Sequence, residues 1–398
     1  MDFDKIVERR NTDCLKFDAA VRRGYPADIL PLWVADMDFP TAPPVLEALN
    51  QRTNHGVFGY TEADPDRFFS VLHAWFLAQH RWEIQKEWLL QTPGVVFALA
   101  MAVKAYTQQE DAVLIQQPVY YPFTEVILDN GRRRVSNDLV LRGGRYEIDF
   151  ADFEEKIVAN HVKLFLLCSP HNPVGRVWTK EELERIAEIC RKHHVIVVAD
   201  EIHEDFVWSG HLHIPFASLG EEAANYSVTC TSPSKTFNLA GLQVSNIFIP
   251  NFELRRKLKH EINAAGYSQL NTLGLTACEA ADRDGLPWLE ELKAYLRQNI
   301  EYTRTFLRQN IECTRKFLRQ NLPQIRLIEP EGTYLLWLDF RNLGISNAAL
   351  EELIIKKAGL WLDSGAIFGA AGKGFQRINA ACPRAVLEEA LQRIAKVI

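Results

Sequence analysis

The chain has 398 residues, 24% of them charged and 47% hydrophobic, enough to bury a large core and long enough for about two or three domains of ordinary size. Its 45 basic residues against 51 acidic ones leave a net charge of −6, too mild and too evenly spread for a nucleic-acid or membrane-surface partner. No apolar run is long enough to span a bilayer, and Met1-Asp2-Phe3-Asp4-Lys5 is acidic where a secretory signal is basic and then greasy, so a cytoplasmic protein is expected, with its seven scattered cysteines reduced.

The first fifty residues, rich in proline and aromatic side chains, carry little periodicity and are expected to complete a small lobe or a subunit interface. Through the middle of the chain, short apolar runs alternate with helical patterns, the signature of a mostly parallel sheet covered by helices on both faces. Buried strands are expected at 112–115, 163–167, 195–199, 226–230 and 244–249. Four strand ends are polar: 116–120 (Gln-Gln-Pro-Val-Tyr), 168–173 (Cys-Ser-Pro-His-Asn-Pro), 200–203 (Asp-Glu-Ile-His) and 231–235 (Thr-Ser-Pro-Ser-Lys). In open α/β sheets ligands bind at the carboxyl ends of strands, so these clusters mark one rim as the site.

Between Pro287 and Pro323 there is no proline or glycine, and the stretch from about Trp288 to Leu322 would make a helix of roughly 50 Å, long enough to link two lobes. It holds a tandem repeat, Arg297–Leu307 followed by Arg308–Leu318, with a third Arg-Gln-Asn beginning at Arg319. A period of eleven lengthens a helix by about 16 Å and rotates its face by only about 20°, so Ile300, Leu307, Ile311, Leu318 and Leu322 keep one stripe. After Pro323 follow a strand around 334–340, a helix near 348–358, a Gly-rich loop and a last helix, a smaller α+β lobe. The expected division is a large α/β domain over 48–288, with 1–47 and 289–398 forming the small lobe.

The chemistry starts at Lys235, directly after an apolar strand and flanked by Ser232, Ser234 and Thr236. Small hydroxyls are cheap phosphate ligands, and a lysine among them suits covalent attachment of an aldehyde cofactor carrying a phosphate, pyridoxal phosphate. Such a cofactor needs an acid at its ring nitrogen, and Asp200 follows a buried strand, although a carboxylate there could instead cap a helix. Asn172 is suited to the ring's phenolic oxygen, or to a plain Asn-Pro turn. Tyr120 could stack over the ring or simply pack in a core. Gly94, Val95 and Val96 could offer backbone N–H groups to the phosphate at a helix start. The fork of Arg377 fits a substrate α-carboxylate, or a surface ion pair.

Together with Trp33-Val-Ala-Asp-Met-Asp-Phe, Gly56-Val-Phe-Gly-Tyr, Ser169-Pro-His-Asn-Pro-Val-Gly and Arg377-Ile-Asn-Ala-Ala-Cys-Pro-Arg, in order along nearly the whole chain, these pieces resemble fold-type I pyridoxal-phosphate enzymes of the class I/II aminotransferase superfamily, in particular the cystathionine β-lyase or cysteine C–S lyase subgroup. The resemblance implies that Lys235 is the cofactor lysine, Asp200 the partner of the pyridine nitrogen, Asn172 the ligand of the phenolic oxygen, Tyr120 the stacking ring and Arg377 the carboxylate anchor. It also implies a homodimer in which Tyr60 of one subunit reaches the phosphate or the incoming amine in the other. Aminotransferases of this type place Arg or Lys eight residues after the cofactor lysine, where this chain has Gln243, as the C–S lyases do.

The expected activity is therefore α,β-elimination from an S-substituted L-cysteine such as cystathionine, giving pyruvate, ammonia and a thiol. The alternatives are an aminotransferase with the same cofactor and a regulatory protein on the same scaffold that acts through a partner. His203, His211, His213 and the pair His193-His194 have no zinc-site spacing with supporting cysteines, so no metal is expected and the histidines are read as exposed or hydrogen-bonded.

Overall fold

In the computed structural model, Ala112–Ile115 is buried at every residue because both faces of the strand are covered. Ala112 and Leu114 pack with Phe153 and Ile157 of the helix Phe150–Asn160 and with Leu183 and Ile186 of Lys180–Lys192. Val113 and Ile115 pack with Ala98 and Leu99 of Val95–Tyr106 and with Leu258 and Ile262 of Phe252–Ala264. Side chains alternate across a strand, so a sheet sandwiched between helices reads as an unbroken apolar run. The structure describes residues 1–267, 269–317 and 325–398, and of 309–317 the backbone alone.

The large sheet runs in spatial order Leu89–Thr92, Ser245–Phe248, Ser227–Thr231, Ile196–Asp200, Leu164–Cys168, Ala112–Ile115 and Arg133–Ser136. Ser245–Phe248 is antiparallel to both neighbours, and the remaining pairings are parallel. The five expected strands lie within a residue or two of their places. The two edge strands were not expected: Leu89–Thr92 is only half-buried, and Arg133 and Arg134 face solvent, the charged edge that discourages pairing with another chain. The three adjacent parallel strands ending at Cys168, Asp200 and Thr231 bring their polar loops side by side.

A second, antiparallel sheet is ordered Arg326–Ile328, Leu335–Asp339, Phe375–Asn379 and Asp363–Ser364. The N-terminal segment belongs with it. Leu30–Pro31 pairs in parallel with Leu360–Trp361, and Asn379 Nδ2 donates to the carbonyls of Val34 and Asp36, both at 2.7 Å. The helix Leu286–Phe317 buries Trp288, Leu292, Leu296, Ile300 and Leu307 along one stripe, so the first repeat unit is helical throughout and the second is helical as far as Phe317. The side chain of Ile311, and Leu318 and Leu322 with the third Arg-Gln-Asn, lie outside the described residues. Positions 48 and 288 both fall within helices, Pro43–His55 and Leu286–Phe317.

One buried carboxylate ties the turn after Asn172 to the C-terminal region. Glu331 accepts from Arg176 Nε at 2.8 Å, Arg145 Nε at 2.6 Å and the Val177 N–H at 3.0 Å, and Arg176 is only 2% exposed. Removing one partner of a buried ion pair leaves the other charge uncompensated, so Glu331→Ala is expected to cost about 3 kcal/mol of stability in a denaturant titration. A loss below about 1 kcal/mol would show that Glu182, which also binds Arg176, suffices on its own.

Candidate active site

The strand Ser227–Thr231 ends in a tight cap that fixes Lys235. Ser232 Oγ accepts the Ser234 N–H at 3.1 Å, contacts Ser234 Oγ and donates to the Val244 carbonyl at 2.6 Å. Pro233 then opens the short helix Pro233–Thr236, where its missing N–H and fixed φ cost nothing. Lys235 Nζ donates at 3.0 Å to the carbonyl of Ala35, which also accepts the Tyr334 hydroxyl at 2.9 Å. Burial of its ammonium pulls the Lys235 pKa down to about 8; Asp36 opposes this, Arg377 reinforces it and Asp200 opposes it.

Asp200 ends its strand 4% exposed. Its side chain accepts the Ile202 N–H at 3.2 Å, and among the described residues no cation is hydrogen-bonded to it. Burial pushes its pKa up to about 7, against the pull of the Ile202 N–H and of Lys235. A buried carboxylate in that state calls for a proton donor with which to share its charge.

Arg377, 2% exposed, sits mid-strand in the second sheet and reaches across to the first. Its Nη1 donates to Asn172 Oδ1 at 3.0 Å, and its Nη2 to the Trp33 carbonyl at 2.6 Å and to Asp363. Its Nε is buried and, among the described residues, has no partner. Asn172 also receives the Tyr120 backbone N–H on its carbonyl at 3.1 Å. Burial raises the Tyr120 phenol, and the nearby Tyr121 and Asp200 add to the rise while Arg377 opposes it. Lys235 and Tyr120, both half-buried, thus share one neighbourhood with the buried Asp200, Asn172 and Arg377.

Gly94 precedes the helix Val95–Tyr106, which has no side-chain cap, so its first N–H groups are available to an anion. Val95 is buried and Val96 is 39% exposed. Tyr60 stands apart within this single chain: its ring is 99% exposed on a segment where Val57 and Phe58 are exposed as well. Gln243 is exposed, with left-handed backbone at φ +52°.

Sequence reasoning missed Asp363, Asp36, Tyr334 and the carbonyls of Trp33 and Ala35. It also misplaced His203. This residue is 3% exposed with Nδ1 unpartnered, its ring 6.1 Å from that of Tyr334, and burial followed by the charges of Lys235 and Arg377 holds it well below the usual histidine range. Its place three residues after Asp200 was the available signal. His213 and His193 do find partners, Glu201 Oε2 at 3.0 Å and Glu154 Oε1 at 2.8 Å.

Residues 27–394 match the sequence model of the family described as aminotransferase class I and II. The chain belongs to the class I and II aminotransferase family. Within it, the chain is 43% identical over 394 residues to the cystathionine beta-lyase PatB of Bacillus subtilis, covering 99% of both chains. It is 35% identical over 398 residues to the protein MalY of Escherichia coli, covering 100% of this chain and 98% of that one. The crystal structure of cystalysin from Treponema denticola, which contains a pyridoxal 5'-phosphate cofactor, superposes with a TM-score of 0.92 at 37% identity, covering 100% of this chain and 98% of that chain. Among the described residues no helix is long and apolar enough to cross a membrane.

Cofactor loading offers a test that needs no substrate. A lysine with pKa about 8 rather than 10.5 is about one-tenth neutral at pH 7, and only the neutral amine attacks an aldehyde. The rate at which cofactor-free protein takes up pyridoxal phosphate is therefore expected to rise with pH to about 8 and then flatten. A rate still climbing tenfold per unit near pH 9.5 would place the Lys235 amine in its ordinary range.

Proposed function

We propose that this chain is a pyridoxal-phosphate-dependent carbon–sulfur lyase. It eliminates the thiol from an S-substituted L-cysteine, L-cystathionine foremost, and with one water yields pyruvate, ammonia and homocysteine. The observation that carries this reading is the convergence of Lys235 on the buried Asp200, Asn172 and Arg377 in a chain 43% identical to a cystathionine beta-lyase.

The residues fit the cofactor. Asp200 is a buried carboxylate in want of a proton donor, and Ser234, braced by Ser232, and the uncapped helix start after Gly94 offer a hydroxyl and N–H groups for a phosphate. When bound, pyridoxal phosphate supplies an electron sink for charge developing at the substrate Cα. Lys235 would anchor it, and a neutral Nζ, a form suited to its depressed pKa, would take the Cα proton. Asp200 holds the proton on the ring nitrogen. Asn172 donates to the phenolic oxygen through its amide while its Oδ1 accepts from Arg377. Tyr120 would stack on the ring, and Arg377 would take the substrate α-carboxylate.

The exposure of Tyr60, with Val57 and Phe58 beside it, supports a homodimer in which Tyr60 enters the site of the other subunit. We also propose a large domain over 48–288 with the rest as the small lobe, a cytoplasmic enzyme given its free, mostly buried cysteines, and a place in sulfur amino-acid metabolism. The test is the visible spectrum of the cofactor-loaded protein before and after L-cystathionine, with pyruvate assayed in the same cuvette. Pyruvate accumulating without any added oxo acid is the expected result. Product formed only when a 2-oxo acid is supplied would make the protein an aminotransferase instead.

A further inference from the structure

Beside the Arg377 anchor opens a cavity of about 590 Å³. Asp363, which binds Arg377 Nη2, lines it, and so does Trp33, whose carbonyl accepts from that same nitrogen. The cavity therefore begins where the fork of Arg377 ends. One wall is aromatic: Trp33 and Trp361 stack with centroids 4.4 Å apart and planes 12° from parallel, and Tyr25 lies 4.4 Å from Trp361.

Charges of both signs stand in this cavity, Arg23 against the carboxylates of Glu125, Glu351 and Asp363. Arg23 lies over Trp33 with Cζ 4.8 Å from the ring centroid, and among the described residues no hydrogen bond or ion pair takes its N–H donors. A guanidinium stacked on a ring keeps its edge donors in plane and free for a carboxylate. Glu351 is held in place through Oε1, which accepts from Asn347 Nδ2 and Ser364 Oγ, both at 2.7 Å; its Oε2 is left for a further donor. Asp363 sits between the two guanidiniums, bonded by Arg377 and within the field of Arg23.

We propose that this cavity receives the far end of the substrate's sulfur substituent, and that the end it suits is an α-amino-acid zwitterion, carboxylate on Arg23 and ammonium on Glu351. The inference rests on the lyase reading above and deepens it by naming the substituent. A purely anionic tail would meet Glu351 and a purely cationic one Arg23, so fixed charges of both signs favour a group that carries both. L-Cystathionine has such an end, separated from its reacting α-carbon by a sulfur and three methylenes, a thin chain suited to lie along the aromatic wall.

The test compares L-cystathionine with S-butyl-L-cysteine, which has a tail of similar length and no charge, on cofactor-loaded protein. Arg23→Gln is expected to raise KM for L-cystathionine on the order of tenfold, while kcat/KM for S-butyl-L-cysteine stays within about twofold. Glu351→Gln should act in the same direction. Calorimetric titration of cofactor-loaded Lys235→Ala protein, which binds without turning over, should show the same selective loss when Arg23→Gln is added. Equal effects on both conjugates, or none on either, would overturn the assignment. Wild-type protein that cleaves neither conjugate would sink the lyase reading itself, and this assignment with it.

Discussion

Lys235→Ala is expected to lower kcat for L-cystathionine by at least about 10⁴ and to remove the visible absorbance that depends on the covalently held cofactor. In the mechanism proposed above, two roles fall on the same nitrogen, anchor of the cofactor and base toward the substrate Cα. Its surroundings suit the second role, since burial brings its pKa to about 8 while the carbonyl of Ala35 holds Nζ at 3.0 Å. Lys235→Arg should be nearly as inactive, because a guanidinium stays protonated and cannot take the proton. The structural cost is small: the cap around Ser232 and Ser234 does not use the lysine side chain, so the melting temperature of the cofactor-free variant should match that of wild type. A Lys235→Ala protein keeping more than about a tenth of wild-type turnover would refute the assignment of the base.

How much of this was legible follows from where the information sits. Strands such as Ala112–Ile115 and Ile196–Asp200 could be read because burial on both faces writes itself as a continuous apolar run, and a polar residue at the end of such a run marks the ligand rim. Lys235, Asp200 and Asn172 each stand just beyond one of these runs. Arg133–Ser136 could not be read, because its Arg-Arg looks like a loop until the strand is seen to be an edge. Asp363 and the Trp33 carbonyl were invisible for a different reason. They reach Arg377 only because the strand Leu30–Pro31 pairs with Leu360–Trp361, about three hundred residues away along the chain, and no local pattern records such a pairing. His203 lay within a legible motif, yet its burial beside Lys235 and Arg377 is a tertiary fact. Tyr60 came from family resemblance alone, and in the single chain it is exposed.

Asp200→Asn separates the two halves of the chemistry, and it is expected to lower kcat/KM by about 10³ while leaving the cofactor's visible absorbance in place. An asparagine amide occupies the same volume and can still meet a pyridine nitrogen, but it carries no charge to keep a proton there. The native carboxyl is poised for that task. Burial lifts it to about 7, so the energy penalty of its buried charge is relieved once a protonated ring nitrogen lies against it. Without that proton, the ring is a weaker sink for the electrons left at Cα, and proton removal by Lys235 becomes the slow step. A primary deuterium isotope effect with Cα-labelled L-cystathionine should therefore be larger in Asp200→Asn than in wild type. Asp200→Glu tests the same point from the other side, since it keeps the charge but pushes it further into the site. If Asp200→Asn loses its absorbance and its activity together, Asp200 acts in holding the cofactor, and its proposed role at the ring nitrogen falls.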